Sequence, residues 1–361
     1  MRLLFYFGHP AQFHFYKNIV DRLNSNHDIL LYIKSKDVLE ELVKQKCWSY
    51  INVNPKKRGH GKFQIGWSML SRTIRLAGEI NRNKPDILIA SDPSVSQLGF
   101  LFGIPSLNFI DDDYDSVGYY GNLTYPFTKS IITPHTVRVG KWEAKRISYK
   151  GYMKLAYLHP NWFKPDEEKI NQYKGKQFSL VRLASLTAHH DEGAKGVSNK
   201  TLKKIISMLE KQGDVIISAE GKLDEEFEKY RFNIPVQDIH HYLKFAKILV
   251  SDSQSMSGEA AMLGTPSVRI SSFVGKLSVL DELEHNYNLT YAFNPEDESG
   301  IIKKVEELIN EPDLENIFQT RKQKMLNEKI DVASFATWFI ENWPESNQIM
   351  QENPDYQDRF R

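Results

Sequence analysis

Ser251-Asp-Ser-Gln-Ser-Met-Ser-Gly-Glu-Ala-Ala-Met-Leu-Gly-Thr-Pro266 decides the fold of this chain. Before it, Ala246-Lys-Ile-Leu-Val250 is short, apolar and β-leaning, and reads as a buried strand. Its own second half, Glu259-Ala-Ala-Met-Leu263, is a strong helix former closed by Gly264 and Pro266. Ser267-Val-Arg-Ile270 then resumes as a strand. The unit is strand–turn–helix–strand. Its helix opens among Ser253, Ser255, Ser257 and Gly258, where backbone N–H groups and the helix dipole favour a phosphate. Glu259 stands further inside that helix, where a carboxylate can accept hydrogen bonds from a vicinal diol such as a ribose.

Outward from this stretch the same alternation recurs. The spacing predicts strands at Phe178–Leu183 and Asp214–Ala219, with helices at Asn199–Lys211, Asp224–Tyr230 and Ile239–Phe245. Helices follow at Val274–His285, Glu298–Ile309, Leu314–Glu328 and Val332–Trp343, and the tail from Pro344 reads as loosely ordered. In the first half, strands are expected at Leu3–Phe7, Ile29–Ile33, Tyr50–Val53, Lys84–Ser91, Pro105–Ile110 and Ser130–Thr133. Helices are expected at Phe13–Leu23, Lys36–Lys46, Ile65–Asn81 and Ser94–Phe102, and an irregular stretch from Gly118 to Ser130. Such alternation argues for parallel sheets covered on both faces. The Pro- and aromatic-rich Tyr157–Pro165 marks a boundary, giving domains at 1–160 and 161–330, a last helix in 331–345 and a tail at 346–361.

The bulk composition excludes several classes. Lys plus Arg and Asp plus Glu number 47 and 46, so net charge gives no reason to expect nucleic acid. The single Cys47 rules out an intramolecular disulfide framework and fits a reducing, cytoplasmic setting. Met-Arg-Leu-Leu-Phe-Tyr-Phe7 is too short for a signal peptide and reads as a first strand. No apolar run reaches the ~20 residues of a membrane span.

Several constellations carry chemistry. Ser185-Leu-Thr-Ala-His-His-Asp-Glu-Gly193 follows a strand directly, and loops at the carboxyl ends of parallel strands are where open sheets bind ligands. Its histidines suit acid, base or phosphate contact, and metal binding is a rival use that finds no clear third element. His14 lies in the first helix beside two Phe residues, with His9 competing for any role in proton transfer. Asp92 ends one strand, and Asp111-Asp-Asp-Tyr-Asp115 ends the next with four carboxylates in five residues. Arg182, Arg269 and Lys276 are cations near strand ends in the second half, suited to a diphosphate. Lys56-Lys57-Arg58 form a basic patch between Pro55 and Gly59, suited to an anionic acceptor or the inner membrane surface.

The segment at 251–266 resembles the donor-nucleotide motif of GT-B glycosyltransferases and of UDP-N-acetylglucosamine 2-epimerases. Glu259, Ala260, Gly264 and Pro266 match Glu-Ala-x-x-x-Gly-x-Pro, while Asp252, Ser253 and Gln254 replace the usual Gly-Gly. Thr187, His189 and Glu192 match the epimerase Thr-x-His-Arg-x-Glu-Asn, with His190 in place of the Arg. From the first strand to about Leu289 the chain resembles a prokaryotic GT-B-like family, a domain of unknown function related to those epimerases.

The resemblance implies an α/β GT-B architecture: two Rossmann-like domains with parallel sheets facing a central cleft, the last helix crossing back to the first. It implies a nucleotide-sugar, most simply a UDP-sugar, held by Arg182, Thr187, His190, Ser253, Ser255, Ser257, Gly258, Glu259 and Lys276. His14, Asp92, Asp112 and His189 are the implied catalytic groups, and neither metal nor other cofactor is expected. The epimerases carry Pro-Glu-Glu-x-Asn-Arg where Tyr119-Tyr-Gly-Asn-Leu-Thr-Tyr-Pro126 stands here, which favours sugar transfer to a glycan or lipid-linked acceptor. The alternatives are a sugar-nucleotide 2-epimerase and a catalytically idle nucleotide-sugar-binding scaffold.

Overall fold

Leu3, Leu4, Phe5, Tyr6 and Phe7 are all buried, an apolar run on both faces that a parallel sheet with helices above and below can hide. The computed structural model describes residues 1–34, 38–54, 62–184 and 196–361, of 62–69 the backbone alone. It divides into two compact units, Met1–Tyr157 with Ile330–Arg361, and Leu158–Lys329.

The first unit runs β1 (Arg2–Phe7), α1 (Pro10–Leu23), β2 (Asp28–Lys34), α2 (Leu39–Gln45), β3 (Ile51–Asn54) and α3 (Lys62–Asn83). It continues with β4 (Ile87–Ala90), α4 (Pro93–Phe102), β5 (Ser106–Phe109), α5 (Tyr114–Thr124), β6 (Ser130–Pro134) and β7 (Arg146–Tyr149). A short α6 (Leu155–Leu158) closes this run. The sheet order is β3-β2-β1-β4-β5-β6-β7, every pair parallel, with Leu3 opposite both Ile29 and Ile87. Strand order therefore reverses between β1 and β4. Right-handed crossovers then put α3, α4 and α5 on one face and α1 and α2 on the other, which is how the helices pack.

The second unit holds β8 (Phe178–Leu183), α7 (Asn199–Leu209), β9 (Asp214–Ala219), α8 (Ile239–Phe245), β10 (Leu249–Ser251) and α9 (Gln254–Leu263). After these come β11 (Ser267–Ile270), α10 (Ser278–His285), β12 (Tyr291–Phe293), α11 (Glu298–Ile309) and α12 (Leu314–Glu328). Its order is β12-β11-β10-β8-β9, again wholly parallel, and it reverses between β8 and β10. Among the described residues, no helix is long and apolar enough to cross a membrane.

Besides the strands β7 and β12, which it did not give, two stretches differ from the sequence expectation. The segment expected to be irregular beyond Gly118 belongs to α5, a helix kinked at Val117 (φ −125°, ψ 29°). Gly121 serves packing there: a Cβ on it would stand 2.8 Å from the Tyr114 ring, and one on Gly140, beyond the helix, 2.7 Å from the same ring. The second is the C-terminal end. Ile330 N–H donates to the Lys150 carbonyl at 2.8 Å, and α13 (Val332–Glu341) packs on α1, where Arg22 reaches the Ser334 hydroxyl at 2.9 Å. The tail, expected to be loose, folds as α14 (Glu345–Glu352) and a 3₁₀ turn at Pro354–Phe360. Trp338 lies 4.9 Å from the Tyr356 ring and 5.5 Å from Phe360, while the buried Gln357 side chain accepts the Lys150 N–H at 2.5 Å. These anchors recur at no helical period, so composition alone misjudges them.

Removing residues 345–361 should therefore expose the Trp338 and Phe335 faces and destabilise the first unit by roughly 3–5 kcal/mol, the scale of deleting buried aromatics. Urea unfolding of the truncated chain measures this, and an unchanged midpoint would return the tail to the loosely held class.

Candidate functional site

Where a parallel sheet reverses its strand order, the two crossovers leave on opposite faces and a crevice opens at the carboxyl ends. In the second unit those ends are Leu183 of β8 and Ser251 of β10. Asp252 is the first residue after β10. Its Oδ1 accepts the Ala184 N–H at 2.6 Å, its own N–H donates to the Arg182 carbonyl at 3.3 Å, and it is 8% exposed. Burial pushes its carboxyl up to about 6, against the lowering pull of the Ala184 N–H and the Arg182 charge. Arg182 is itself engaged: it donates to the Ser218 hydroxyl at 2.9 Å and pairs with Glu220.

Ser253 begins α9 as its N-cap, its hydroxyl accepting the Met256 N–H at 3.4 Å. The Gln254 and Ser255 amides, in the first turn, have no carbonyl four residues back within the helix. They face outward with the positive end of the dipole, a ready anion site. Ser253 is half-buried and Ser255 exposed, but Ser257 and Gly258 are buried. The Ser257 hydroxyl donates back to the Ser253 carbonyl at 3.0 Å, so it braces the helix and is not available as the expected donor contact. Gly258, one residue deeper, likewise packs inward. Glu259 is 8% exposed, with Oε1 3.4 Å from Nε2 of the equally buried His240 on α8. The Phe163 ring meets His240 edge-on at 6.0 Å.

Beneath α9 lies a network the sequence reading missed. Arg269, fully buried on β11, donates to Gln254 Oε1 at 2.5 Å, and Gln254 Nε2 donates to the Ser271 hydroxyl at 2.5 Å. Glu284 stands 3.8 Å from Arg269 and accepts the Ala292 N–H at 2.9 Å. Desolvation lowers the Arg269 pKa and raises that of Glu284. Arg269 is thus a strut under the first turn of α9, not a surface cation for a phosphate. The signal was there in Gln254, a long amide directly after a cap. Lys276 is exposed in the turn after β11, 5.6 Å from the Phe273 ring.

The first unit repeats the arrangement at its own reversal. Gln12 Oε1 accepts the Gly8 and His9 N–H groups at 2.6 and 3.2 Å, and Gln12 Nε2 donates to the Ser91 carbonyl at 3.2 Å, stitching β1 to β4. Asp92 caps α4 through the Ser94 N–H at 2.9 Å and pairs with Arg72 at 3.3 Å, which in turn donates to the Tyr6 hydroxyl at 2.9 Å. His14 sits half-buried in α1, 5.5 Å from the Phe13 ring and 5.4 Å from Tyr157. Asp111 pairs with Lys154 at 3.2 Å, and the buried Asp113 opens α5 and accepts the Arg138 N–H at 3.0 Å.

Asp112 stands between them. Desolvation, then the charge of Asp111, pushes its carboxyl up to about 7; Lys154 pulls it down and Asp113 adds to the rise. Asp112 is exposed, so water offsets the desolvation and the crowding by two flanking acids is the firmer part of the cause. Thr187, His189, His190, Lys56, Lys57 and Arg58 lie outside the described residues.

The family described as "Protein of unknown function (DUF354)" matches residues 8–335. No curated protein sequence matches the chain. Among solved structures, S. aureus MnaA in a co-structure with UDP aligns at 12% identity over 96% of this chain and 97% of that one, with a TM-score of 0.67. UDP-GlcNAc 2-epimerase from Neisseria meningitidis bound to UDP-GlcNAc aligns at 15% identity over 91% and 100%, TM-score 0.60. The spinosyn forosaminyltransferase SpnP aligns at 13% over 91% and 95%, TM-score 0.58. Likeness at these identities is one of fold: two Rossmann-like domains of the GT-B type.

Asp252 gives this site a pH signature. Its carboxyl titrates higher when folded than when unfolded, so its contribution to stability is whole below about pH 4 and is lost as pH rises through about 6. Asp252→Asn should gain on the parent by roughly 3 kcal/mol between acid and neutral pH. Urea unfolding of both proteins across that range measures it; a parent–variant difference that does not move with pH would contradict the burial.

Proposed function

The chain belongs to that DUF354 family, and we propose that it is a glycosyltransferase that moves a sugar from a UDP-sugar, or a related nucleotide-sugar, to a hydroxyl of a glycan or lipid-linked acceptor. The observation that carries the reaction type is the sorting of the acids in the first unit. Asp92 caps α4, Asp111 pairs with Lys154 and Asp113 with Arg138, which leaves Asp112 as the carboxyl of this group pushed up to about 7. Sugar transfer needs one base, and epimerisation beside the anomeric carbon needs an acid and a base together.

In this reading the second unit holds the donor and the first serves the acceptor. The Gln254 and Ser255 amides and the α9 dipole take the diphosphate, and Glu259, held by His240, takes the ribose. Asp112 accepts the acceptor's hydroxyl proton as the new bond from that oxygen to the anomeric carbon forms. The bond from the anomeric carbon to the phosphate oxygen breaks, and its electron pair leaves with UDP. The helix N-terminus favours that gathering charge. Arg182 and Lys276 add positive charge, Thr187 and His190 are kept as donor-side candidates, and His189 as a catalytic one. His14, set among rings, is a packing residue first.

A sugar-nucleotide 2-epimerase is the second reading. What favours it is that the N. meningitidis epimerase superposes slightly better than the SpnP transferase.

Incubation with a panel of nucleotide-sugars, with and without acceptor, separates the two: transfer requires acceptor and epimerisation does not. Asp112→Asn should lower the rate by about 10²–10⁴ while leaving UDP affinity intact. The parent's rate should rise with pH through about 7, because the base works ionised, and the variant should lose that limb. A variant with full activity would remove Asp112 from the chemistry. Glu259→Gln should weaken UDP binding by roughly 1.5–3 kcal/mol, the worth of a charged hydrogen bond. It preserves the buried shape beside His240 that an alanine would empty. UDP binding equal to the parent's would move the donor site elsewhere.

A further inference from the structure

The geometry points to the outer face of α3, α4 and α5 as a docking surface for an anionic lipid bilayer. A helix facing water carries charge on its outer side, and α4, Pro93-Ser-Val-Ser-Gln-Leu-Gly-Phe-Leu-Phe102, carries none. Phe100 is 69% exposed and Leu101 73%. On α5, Tyr119 is 83% exposed, and Leu123, one turn further on the same side, 36%. Gln97 ties the two helices together, donating to the Leu123 carbonyl at 3.0 Å, so these side chains form one surface. Ile74 at 62% and Leu70 at 52% extend it onto α3, which packs against α4. Exposed large apolar groups gathered in this way mark an interaction site.

Charge at the margin selects the occupant. Phe127, whose ring meets Phe100 at 5.6 Å, precedes Thr128 and Lys129. Lys129 is exposed and close enough to Lys145 to be the second cause, after desolvation, of that ammonium's lowered pKa. Lys145 in turn donates to the Tyr125, Pro126 and Thr128 carbonyls at 2.9, 2.8 and 2.9 Å, at the end of α5. Arg75 is exposed beside Ile74. The only acid on α4 or α5 is Asp115, and Arg138 pairs with it at 3.3 Å. An apolar surface with a cationic margin complements an anionic headgroup layer: rings and leucines enter the acyl boundary while lysines meet phosphates. A second copy of the chain would instead bring a like-charged margin of its own against this one.

The inference stands apart from the donor reading, and its test keeps them apart. The full chain is sedimented with vesicles of phosphatidylcholine alone and of equal parts phosphatidylcholine and phosphatidylglycerol, at low and high salt. It should pellet with the mixed vesicles at low salt and release as salt rises. The double variant Phe100→Ser, Leu101→Ser should reduce the bound fraction about tenfold, since two bulky apolar groups leave the interface. Lys129→Glu should remove the preference for phosphatidylglycerol. Melting temperature and UDP affinity, measured on the same preparations, should match the parent, because all three side chains face water. A parent that stays in the supernatant with both vesicles overturns the inference. So does a concentration-dependent dimer that the double variant dissolves, which would make this face a contact between copies.

Discussion

The Asp252 carboxylate accepts the Ala184 N–H across the seam where the second sheet reverses its strand order, and the start of α9 is arranged around that bond. The bond commits one oxygen of the acid to the end of β8, leaving the Gln254 and Ser255 amides to lead into the crevice. It also brings the acid under the influence of Arg182, whose charge offsets part of the burial. A glycine in this position would leave the turn pliable; the aspartate fixes it, and the fixed turn sets where α9 starts. Arg269 and Gln254 complete the setting from below, holding the first turn of the helix against β11. A helix N-terminus aimed at a ligand is useful to catalysis to the extent that it is already in place when charge develops.

The first unit solves the same seam with a neutral group. Gln12 bonds the turn after β1 and the Ser91 carbonyl after β4 with one amide, where the second unit uses a carboxylate. With no charge spent on the stitch, the acids after β4 and β5 take separate duties. Asp92 caps α4, Asp111 and Asp113 pair with Lys154 and Arg138, and the Asp112 carboxyl is pushed up to about 7 by desolvation and its acidic neighbours. The two units thus differ in composition at their seams: amides and a helix dipole in the second, a crowded carboxyl in the first.

Much of this was legible in the sequence, for reasons that particular residues show. The strand before Ser251, the N-cap, the helix from Gln254 and the Gly264 stop all follow from local rules, because the turn geometry is encoded locally. Both parallel sheets follow from the βα alternation, which buried apolar runs such as Leu3–Phe7 announce. What was not legible depended on contacts distant in sequence. The stretch from Gly118 read as irregular, yet Gly121 lies inside α5 and receives the Tyr114 ring. The tail read as polar and loose, yet Tyr356, Gln357 and Phe360 find partners near Lys150 and Trp338, far back in the chain. Ser257 sat at the expected phosphate and turned out to bond its own helix, because from Met256 onward α9 is buried on every side. Burial decided Arg269 in the same way.

The central claim is that a nucleotide diphosphate sits on the amino end of α9 at the seam of the second unit. Amide hydrogen exchange with and without UDP tests it most directly. The account predicts that UDP slows exchange in the segment 252–259, with little change at the opposite end of the same sheet around Gly264 and Pro266. Protection confined to the seam of the first unit, around Gly8 and Asp92, with 252–259 unaffected, would contradict it.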